Sequence, residues 1–183
     1  GSAEVTPPII LGHEFSGVIV KTGAQVTRYK PGDRVCMDPN CACGACDPCR
    51  SGLAHYCETR IGYGTLVNGG FAEYCAVDQR QIYKLGEHTS FEQGAMAEPA
   101  ACCLHGIDLC KIRPGHQVVV IGGGMIGLLM LQLAKLAGAA KVALLEPVKS
   151  KRAVAEKLGA DLCIDPLCED VKQCLLKAGM TCI

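Results

Sequence analysis

Apolar positions along the chain change rhythm near residue 98. Before it they come in short β-type runs: Gly17-Val18-Ile19-Val20, Arg34-Val35-Cys36 and residues 71–77. Turn chemistry separates these runs at Lys30-Pro31-Gly32-Asp33 and Val67-Asn68-Gly69-Gly70. Short strands at irregular spacing with many turns predict a β-rich unit over residues 1–98. Beyond it, strand-like and helical segments alternate. The pattern predicts a helix over 100–111, stopped by Pro114-Gly115, and then a β-branched strand over 117–121. An apolar helix over 125–136 follows, ended by Gly138, and a strand over 141–145. The next helix covers 149–158, with Gly159 past its end, where glycine takes a left-handed conformation at little cost. A strand over 162–164 and a helix over 169–177 closed by Gly179 complete the series. Such alternation predicts a parallel sheet over residues 99–183.

Residues 116–134 carry no charge, a length close to a membrane span. Gly122-Gly123-Gly124 interrupts the stretch, which favours a buried strand and helix. Apolar residues are 49% of the chain, enough for a core. Lysine plus arginine equals aspartate plus glutamate at 18 each, so the charge excess of a nucleic-acid binder or a membrane-surface protein is missing. Fourteen cysteines would suggest disulfides in a secreted chain. Residues 1–8 show no charged region leading into an apolar one, and the cysteine spacing is of metal type. Both lead to the expectation of a protein of the reducing cytoplasm.

Within Cys41-Ala42-Cys43-Gly44-Ala45-Cys46-Asp47-Pro48-Cys49 and on to Cys57 lies C-x2-C-x2-C-x7-C: Cys43, Cys46, Cys49 and Cys57. Two-residue gaps let consecutive sulfurs face one centre, and four thiolates suit tetrahedral zinc. Four protein ligands leave no open position, so this zinc is structural. Cys41 is a fifth cysteine that offers an alternative register. His55, inside the return, reads as a loop residue.

Gln117-Val118-Val119-Val120-Ile121 runs into Gly122-Gly123-Gly124-Met125-Ile126-Gly127, a G-x-G-x-x-G between strand and helix. Alone the pattern is weak; in this context it is a dinucleotide fingerprint. Gly122 allows the tight turn, Gly124 the approach of a pyrophosphate, and Gly127 close helix–strand packing. Met125 and Ile126 open the helix, whose N-terminus attracts phosphate. Glu146 ends the second strand about 20 residues on, where a carboxylate accepts the adenosine ribose hydroxyls. It would repel a 2′-phosphate, which favours NAD over NADP. Lys149, Lys151 and Arg152 pull the other way, and Lys151 joins the candidate cofactor residues.

Taken in order, these segments resemble the zinc-dependent medium-chain alcohol dehydrogenases. Gly12-His13-Glu14-Phe15-Ser16-Gly17-Val18 looks like the family's G-H-E-x-x-G-x-V. Pro31-Gly32-Asp33-Arg34-Val35 looks like its G-D-R-V turn, and Gly70-Phe71-Ala72-Glu73-Tyr74 like its G-F-A-E-Y strand. The resemblance implies a GroES-like β-rich catalytic domain over 1–98, with a structural-zinc lobe about 39–60. The first half of a Rossmann NAD-binding domain follows over 99–183. It also implies a catalytic zinc with His13 as its imidazole ligand and Glu14 as a direct or indirect partner. Glu98 stands where ordinary members carry cysteine, which is the reason for preferring the polyol (sorbitol) dehydrogenase-like branch. Zinc in such a site lowers the pKa of an alcohol oxygen, so that hydride can pass from a secondary alcohol or polyol to NAD. Cys102 and Cys103 read as buried small residues, and His105 as either core or cleft.

The family's first zinc-ligand cysteine lies before its G-H-E segment, ahead of Gly1, and its sheet continues beyond residue 183. The expectation is a piece truncated at both ends and inactive by itself, from a homo-oligomeric parent that is active. A threonine or butanediol dehydrogenase is the alternative within the enzyme class. A catalytically inert zinc-stabilised module and a zinc-ribbon nucleic-acid binder are the alternatives outside it.

Overall fold

Strand β1 (Ser16–Val18) pairs antiparallel with β2 (Arg34–Met37), with Gly17 opposite Val35. The connection turns at Gly32, whose φ of +92° is a left-handed conformation that glycine adopts freely. Two backbone bonds, Ile19 N–H to Asp33 O and Gly32 N–H to Ile19 O, extend the ladder past Val18. A small ribbon follows, of β3 (Asn40–Cys41) and β4 (Ile61–Gly62). Between its strands lies the cysteine lobe, carrying α1 (Asp47–Arg50) and a 3₁₀ turn at Ala54–Tyr56. Strand β5 (Ile82–Lys84) returns to the other edge of β2, giving the order β1-β2-β5. Met37, Cys41 and Tyr63 form the buried core here, with Phe15, Val77 and Ile82 packed against them.

The computed structural model describes residues 5–181, and the chain divides between Glu98 and Pro99 into two compact units. Near that division come α2 (Phe91–Ala95) and α3 (Ala97–Cys110). Ser90 and Gln93 form a reciprocal capping box that starts α2. Pro99 is tolerated in α3 because the first turn of a helix has no use for its missing N–H.

In the second unit, β6 (Gln117–Ile121), β7 (Lys141–Leu145) and β8 (Leu162–Ile164) form a parallel sheet in that order. Helices α4 (Met125–Leu136), α5 (Lys149–Lys157) and α6 (Val171–Lys177) follow the three strands. Leu131, Ala134, Val142, Leu144 and Ala155 are wholly buried in one cluster. Ala143, Ile164, Leu175 and Met180 fill a second. At about 1.5–3 kcal/mol for each large side chain removed from water, these two clusters are what hold the sheet to its helices. This is a GroES-like β-rich domain followed by the opening βαβαβ of a Rossmann fold.

Several expectations need correction. Residues 71–77 form no strand. Phe71 N–H bonds Leu11 O, but beyond it no ladder partner exists among the described residues, and Phe71 and Tyr74 stand exposed. Helix α3 begins three residues earlier than predicted, at Ala97, which brings Glu98 into its first turn. Cys103 is buried as expected, whereas Cys102 and His105 are exposed. The uncharged stretch 116–134 is split by the glycine turn into β6 and α4. No described helix is long and apolar enough to cross a membrane.

Candidate metal and cofactor sites

His13 follows a backbone segment that is hydrogen-bonded along residues 10–12 to residues 68–71. Gly69 N–H bonds Ile10 O, Gly70 N–H bonds Gly12 O, and Phe71 N–H bonds Leu11 O, all at 2.8–2.9 Å. Asn68 Oδ1 takes the N–H of Ile10 at 3.0 Å. The approach is so close that a Cβ on Gly69 would sit 2.0 Å from Gly12 O. Gly12 itself has φ +94°, which turns the chain directly before His13. Neither glycine tolerates a side chain.

Glu98 is positioned from the other direction. Ser16 Oγ donates to Phe91 O at 2.6 Å, tying the first turn of α2 to β1. Arg34, on β2, lays its guanidinium 4.6 Å from the centre of the Phe91 ring. It also donates through Nη1 to Glu87 O at 3.1 Å and through Nη2 to Thr89 O at 2.5 Å. The segment that leads into α2, and from there to Glu98, is thereby fastened to the sheet. Sequence reading missed these roles of Arg34 and Ser16.

The result is that one donor atom each of His13, Glu14 and Glu98 lie within 4.8 Å of one another. His13 and Glu98 are half-buried and Glu14 is exposed. A tetrahedral zinc with arms of ~2.1 Å has ligand–ligand edges of ~3.4 Å, so no pair needs to close by more than about 1.4 Å. One imidazole and two carboxylates are a donor set that zinc accepts. Three protein ligands leave a fourth position for another group.

A second group comprises Cys43, Cys46, Cys49 and Cys57, whose sulfurs also lie within 4.8 Å of one another. Cys43 Sγ and Cys49 Sγ are 3.9 Å apart, close to the ~3.8 Å edge of a tetrahedron with ~2.3 Å zinc–sulfur arms. Backbone N–H groups of Ala45 and Cys46 point at Cys43 Sγ, each at 3.4 Å, and Cys43 N–H points at Cys57 Sγ at 3.3 Å. The Ala45 and Cys46 N–H bonds push the Cys43 thiol down to about 6. The Cys43 N–H likewise holds Cys57 below its ordinary value. Burial, together with the neighbouring thiols, pushes Cys49 up to about 12. Four sulfurs this close cannot all ionise unaided, and a divalent cation among them would remove that conflict. Cys41 lies outside the quartet, buried against Met37 and Tyr63 and accepting from Arg80 Nη2 at 3.3 Å. His55 is exposed and sits beside the Tyr56 ring.

The third candidate lies in the second unit. Gly122 turns the chain out of β6 at φ +98°, and its N–H bonds Leu145 O at 2.8 Å. A Cβ on Gly127 would lie 1.8 Å from Gly122 O, whereas one on Gly124 would meet nothing within 4 Å. Gly124 is the N-cap of α4, next to exposed Met125 and Ile126. The first N–H groups of any helix lack acceptors within it, so they are available here to an anion. A cavity of about 820 Å³ runs along β6 and is bordered by Gly122, Gly124, Met125 and Gly127.

Glu146 follows β7 and is only 5% exposed. Its Oε2 accepts from Gly123 N–H at 2.7 Å and its Oε1 from Val148 N–H at 2.8 Å. The Val148 and Gly123 N–H bonds, aided by the charges of Lys151 and Arg152, hold the carboxyl below its ordinary value against the effect of burial. Sequence reading foresaw a carboxylate at the strand end. It did not foresee that the same group ties the glycine turn to β7. Lys151 lies exposed in the first turn of α5.

Comparison with known proteins follows the same division. Residues 1–87 match the family "Alcohol dehydrogenase GroES-like domain", and residues 125–180 match "Zinc-binding dehydrogenase". D-arabitol-phosphate dehydrogenase of Enterococcus avium is 39% identical over 169 residues, which is 91% of this chain and 48% of that protein. Scyllo-inosose 3-dehydrogenase of Thermotoga maritima is 38% identical over 184 residues, 92% of this chain and 47% of that protein. A solved zinc-binding dehydrogenase from Sinorhizobium meliloti 1021, bound to NADP, superposes with a TM-score of 0.88 at 44% identity. It covers 91% of this chain and 49% of that one. The chain therefore spans about half the length of the curated relatives it matches.

Proposed function

The chain belongs to the zinc-binding alcohol dehydrogenases, and from that premise we propose that the whole protein transfers hydride between a secondary alcohol of a polyol and NAD. The observation that carries this reading is the meeting of His13, Glu14 and Glu98 within 4.8 Å. In the proposal these three hold a zinc, and Cys43, Cys46, Cys49 and Cys57 hold another as a structural staple. The donor chemistry fits in both places. Zinc bound at His13, Glu14 and Glu98 supplies Lewis acidity that lowers the pKa of a substrate hydroxyl.

The other assignments concern the chain's own residues. Gly122, Gly124, Met125, Ile126 and Gly127 seat the pyrophosphate, and Glu146 accepts the ribose hydroxyls with the lone pairs its backbone bonds leave over. A carboxylate at that point disfavours a 2′-phosphate. Lys151 adds positive charge nearby. Polyols are favoured as substrates because Glu98 offers oxygen where sulfur is usual, and because the relatives are an arabitol-phosphate and a scyllo-inosose dehydrogenase. The same reading puts the whole protein in the reducing cytoplasm, as a homo-oligomer.

The test pairs metal analysis with turnover. Two zincs per chain are expected, one of them lost in Glu98→Gln. The whole protein should reduce NAD faster than NADP with pentitols or hexitols. A single zinc, no dinucleotide binding and no polyol turnover would leave an inert zinc-stapled module instead.

A further inference from the structure

Strands β7 and β8 are parallel neighbours with Leu145 opposite Ile164, so the residues that follow them, Glu146 and Asp165, emerge side by side. Glu146 N–H bonds Ile164 O at 3.0 Å across this edge. In an open parallel sheet, ligands bind outside the carboxyl ends of the strands. Asp165 is therefore a second carboxylate on the rim that the proposed function assigns to the adenosine ribose.

Its oxygens are committed. Oδ2 takes Arg152 Nη1 at 3.1 Å and Oδ1 takes Leu167 N–H at 3.1 Å. Glu169 Oε2 holds the Asp165 N–H at 2.7 Å. The same Arg152 nitrogen lies 2.7 Å from both Glu146 O and Pro147 O. Side chains 152 and 165 are 18% and 16% exposed, so the pair is largely out of water. Arg152 is thus folded back beneath the strand end that presents Glu146. Guanidinium is the side chain best matched to a phosphate monoester, since its fork donates two parallel hydrogen bonds.

We propose that Asp165 is a specificity-determining positioning residue: it holds Arg152 away from the ribose 2′ position and so keeps the site selective for a dinucleotide without a 2′-phosphate. The inference rests on the dinucleotide reading above. It adds that selection depends on withholding a cation as well as on the Glu146 carboxylate. Lys149 and Lys151, exposed in the first turn of α5, are the other cations at this rim.

The experiment is calorimetric titration of the 183-residue protein with ADP-ribose and with 2′-phospho-ADP-ribose. Wild type should bind ADP-ribose more tightly. Asp165→Asn keeps the acceptor for Leu167 N–H while weakening the hold on Arg152, and should move the affinity ratio about tenfold toward the 2′-phosphate probe. Asp165→Asn combined with Arg152→Gln should lose that gain, and Arg152→Gln alone should leave the wild-type ratio within about twofold. A ratio unmoved by Asp165→Asn overturns the inference, as does a gain that persists without Arg152. If Asp165→Asn is unfolded by circular dichroism, a fall in 2′-phosphate affinity in Arg152→Gln alone overturns it, since the guanidinium would then already reach the ligand. Wild type that binds neither probe overturns the dinucleotide reading and this inference with it.

Discussion

Gly127 packs against Gly122 so closely that a Cβ on the former would stand 1.8 Å from the latter's carbonyl oxygen. The obstacle is backbone, which cannot rotate aside as a side chain can. Gly127→Ala should separate α4 from β6 and destabilise the protein by about 1–3 kcal/mol or more. Gly124 is different, because its φ of −77° suits any residue and a Cβ there meets nothing within 4 Å. Gly124→Ala should leave thermal unfolding within about 0.5 kcal/mol of wild type. It should weaken NADH binding, since the methyl occupies the approach to the pyrophosphate. Calorimetric titration beside thermal circular dichroism separates the two effects. A Gly127→Ala protein as stable as wild type would falsify the packing argument.

The cysteine lobe has no core of its own; between β3 and β4, over residues 42–60, only Cys57 is buried, at 9% exposure. Its order should depend on metal. Cys46→Ser is expected to cost one zinc per chain and to make residues 43–57 sensitive to protease. Cys41→Ser removes a thiol outside the quartet, so zinc content should stay at the wild-type value. Plasma emission analysis of the dialysed proteins reads both. Equal zinc loss in the two variants would mean that Cys41 is a ligand.

Where local chemistry dictated local structure, the sequence was readable. Strand β6, helix α4 and strand β7 begin and end at the expected residues because Gly122 and Gly138 break the chain beside runs of Val, Leu and Ile. Helix α2 went unread. Its capping box of Ser90 and Gln93 is a legible start signal, but five residues that include Gly94 carry too little periodicity to support it. The metal-type residues His13, Glu14, Glu98 and the cysteine quartet were named from motif context, and the fold brings each set together. What held them in place was not readable. Arg34 bonds carbonyls 53 and 55 residues away, and Asp165 meets Arg152 through the pairing of two strands. A backbone carbonyl acceptor leaves no trace in residue identity.

Stability at low pH should depend on Asp161. Burial raises its carboxyl, but hydrogen bonds from Lys135 and from Val142 N–H, with the charges of Lys135 and Lys141, outweigh this and leave it below the ordinary value. Lys135 Nζ contacts both oxygens, at 2.9 and 2.7 Å, and Val142 N–H contacts Oδ2 at 2.6 Å. A group whose pKa is depressed on folding contributes stability that is complete above its unfolded value, about 3.9, and is lost as pH falls through the folded value. The unfolding midpoint of wild type should therefore drop as pH is lowered from about 5 past 3.9. Asp161→Asn should start lower at neutral pH and fall less steeply over that window. Thermal denaturation from pH 7 to pH 2 reads the slopes. Parallel acid limbs would show that Asp161 gains nothing from its partners on folding.

Arg34 offers a test of whether Glu98 is held in place from outside the metal site. Its guanidinium spans the two carbonyls of Glu87 and Thr89 and lies over Phe91, whereas a lysine at the same position keeps the charge and loses the planar fork. Arg34→Lys should release the segment from Glu87 to Phe91 and cost about 1–2 kcal/mol of stability. Glu98 follows α2 by three residues, so its carboxylate should then range more widely relative to His13 and Glu14. Arg34 bonds none of the three ligands directly, so the zinc assigned to His13, Glu14 and Glu98 should weaken by no more than about 10-fold, the low end of what loss of a ligand's own hydrogen-bonding partner costs. The bonds and ring contact of Arg34 go to Glu87, Thr89 and Phe91 and not to the four cysteines, so the zinc assigned to these should not change. Competition with a chelator of known affinity, followed by metal counting, distinguishes the two zincs. If both withstand the chelator as in wild type while the unfolding midpoint falls, the clamp serves the β-rich domain alone, and Glu98 owes its position to helix α3.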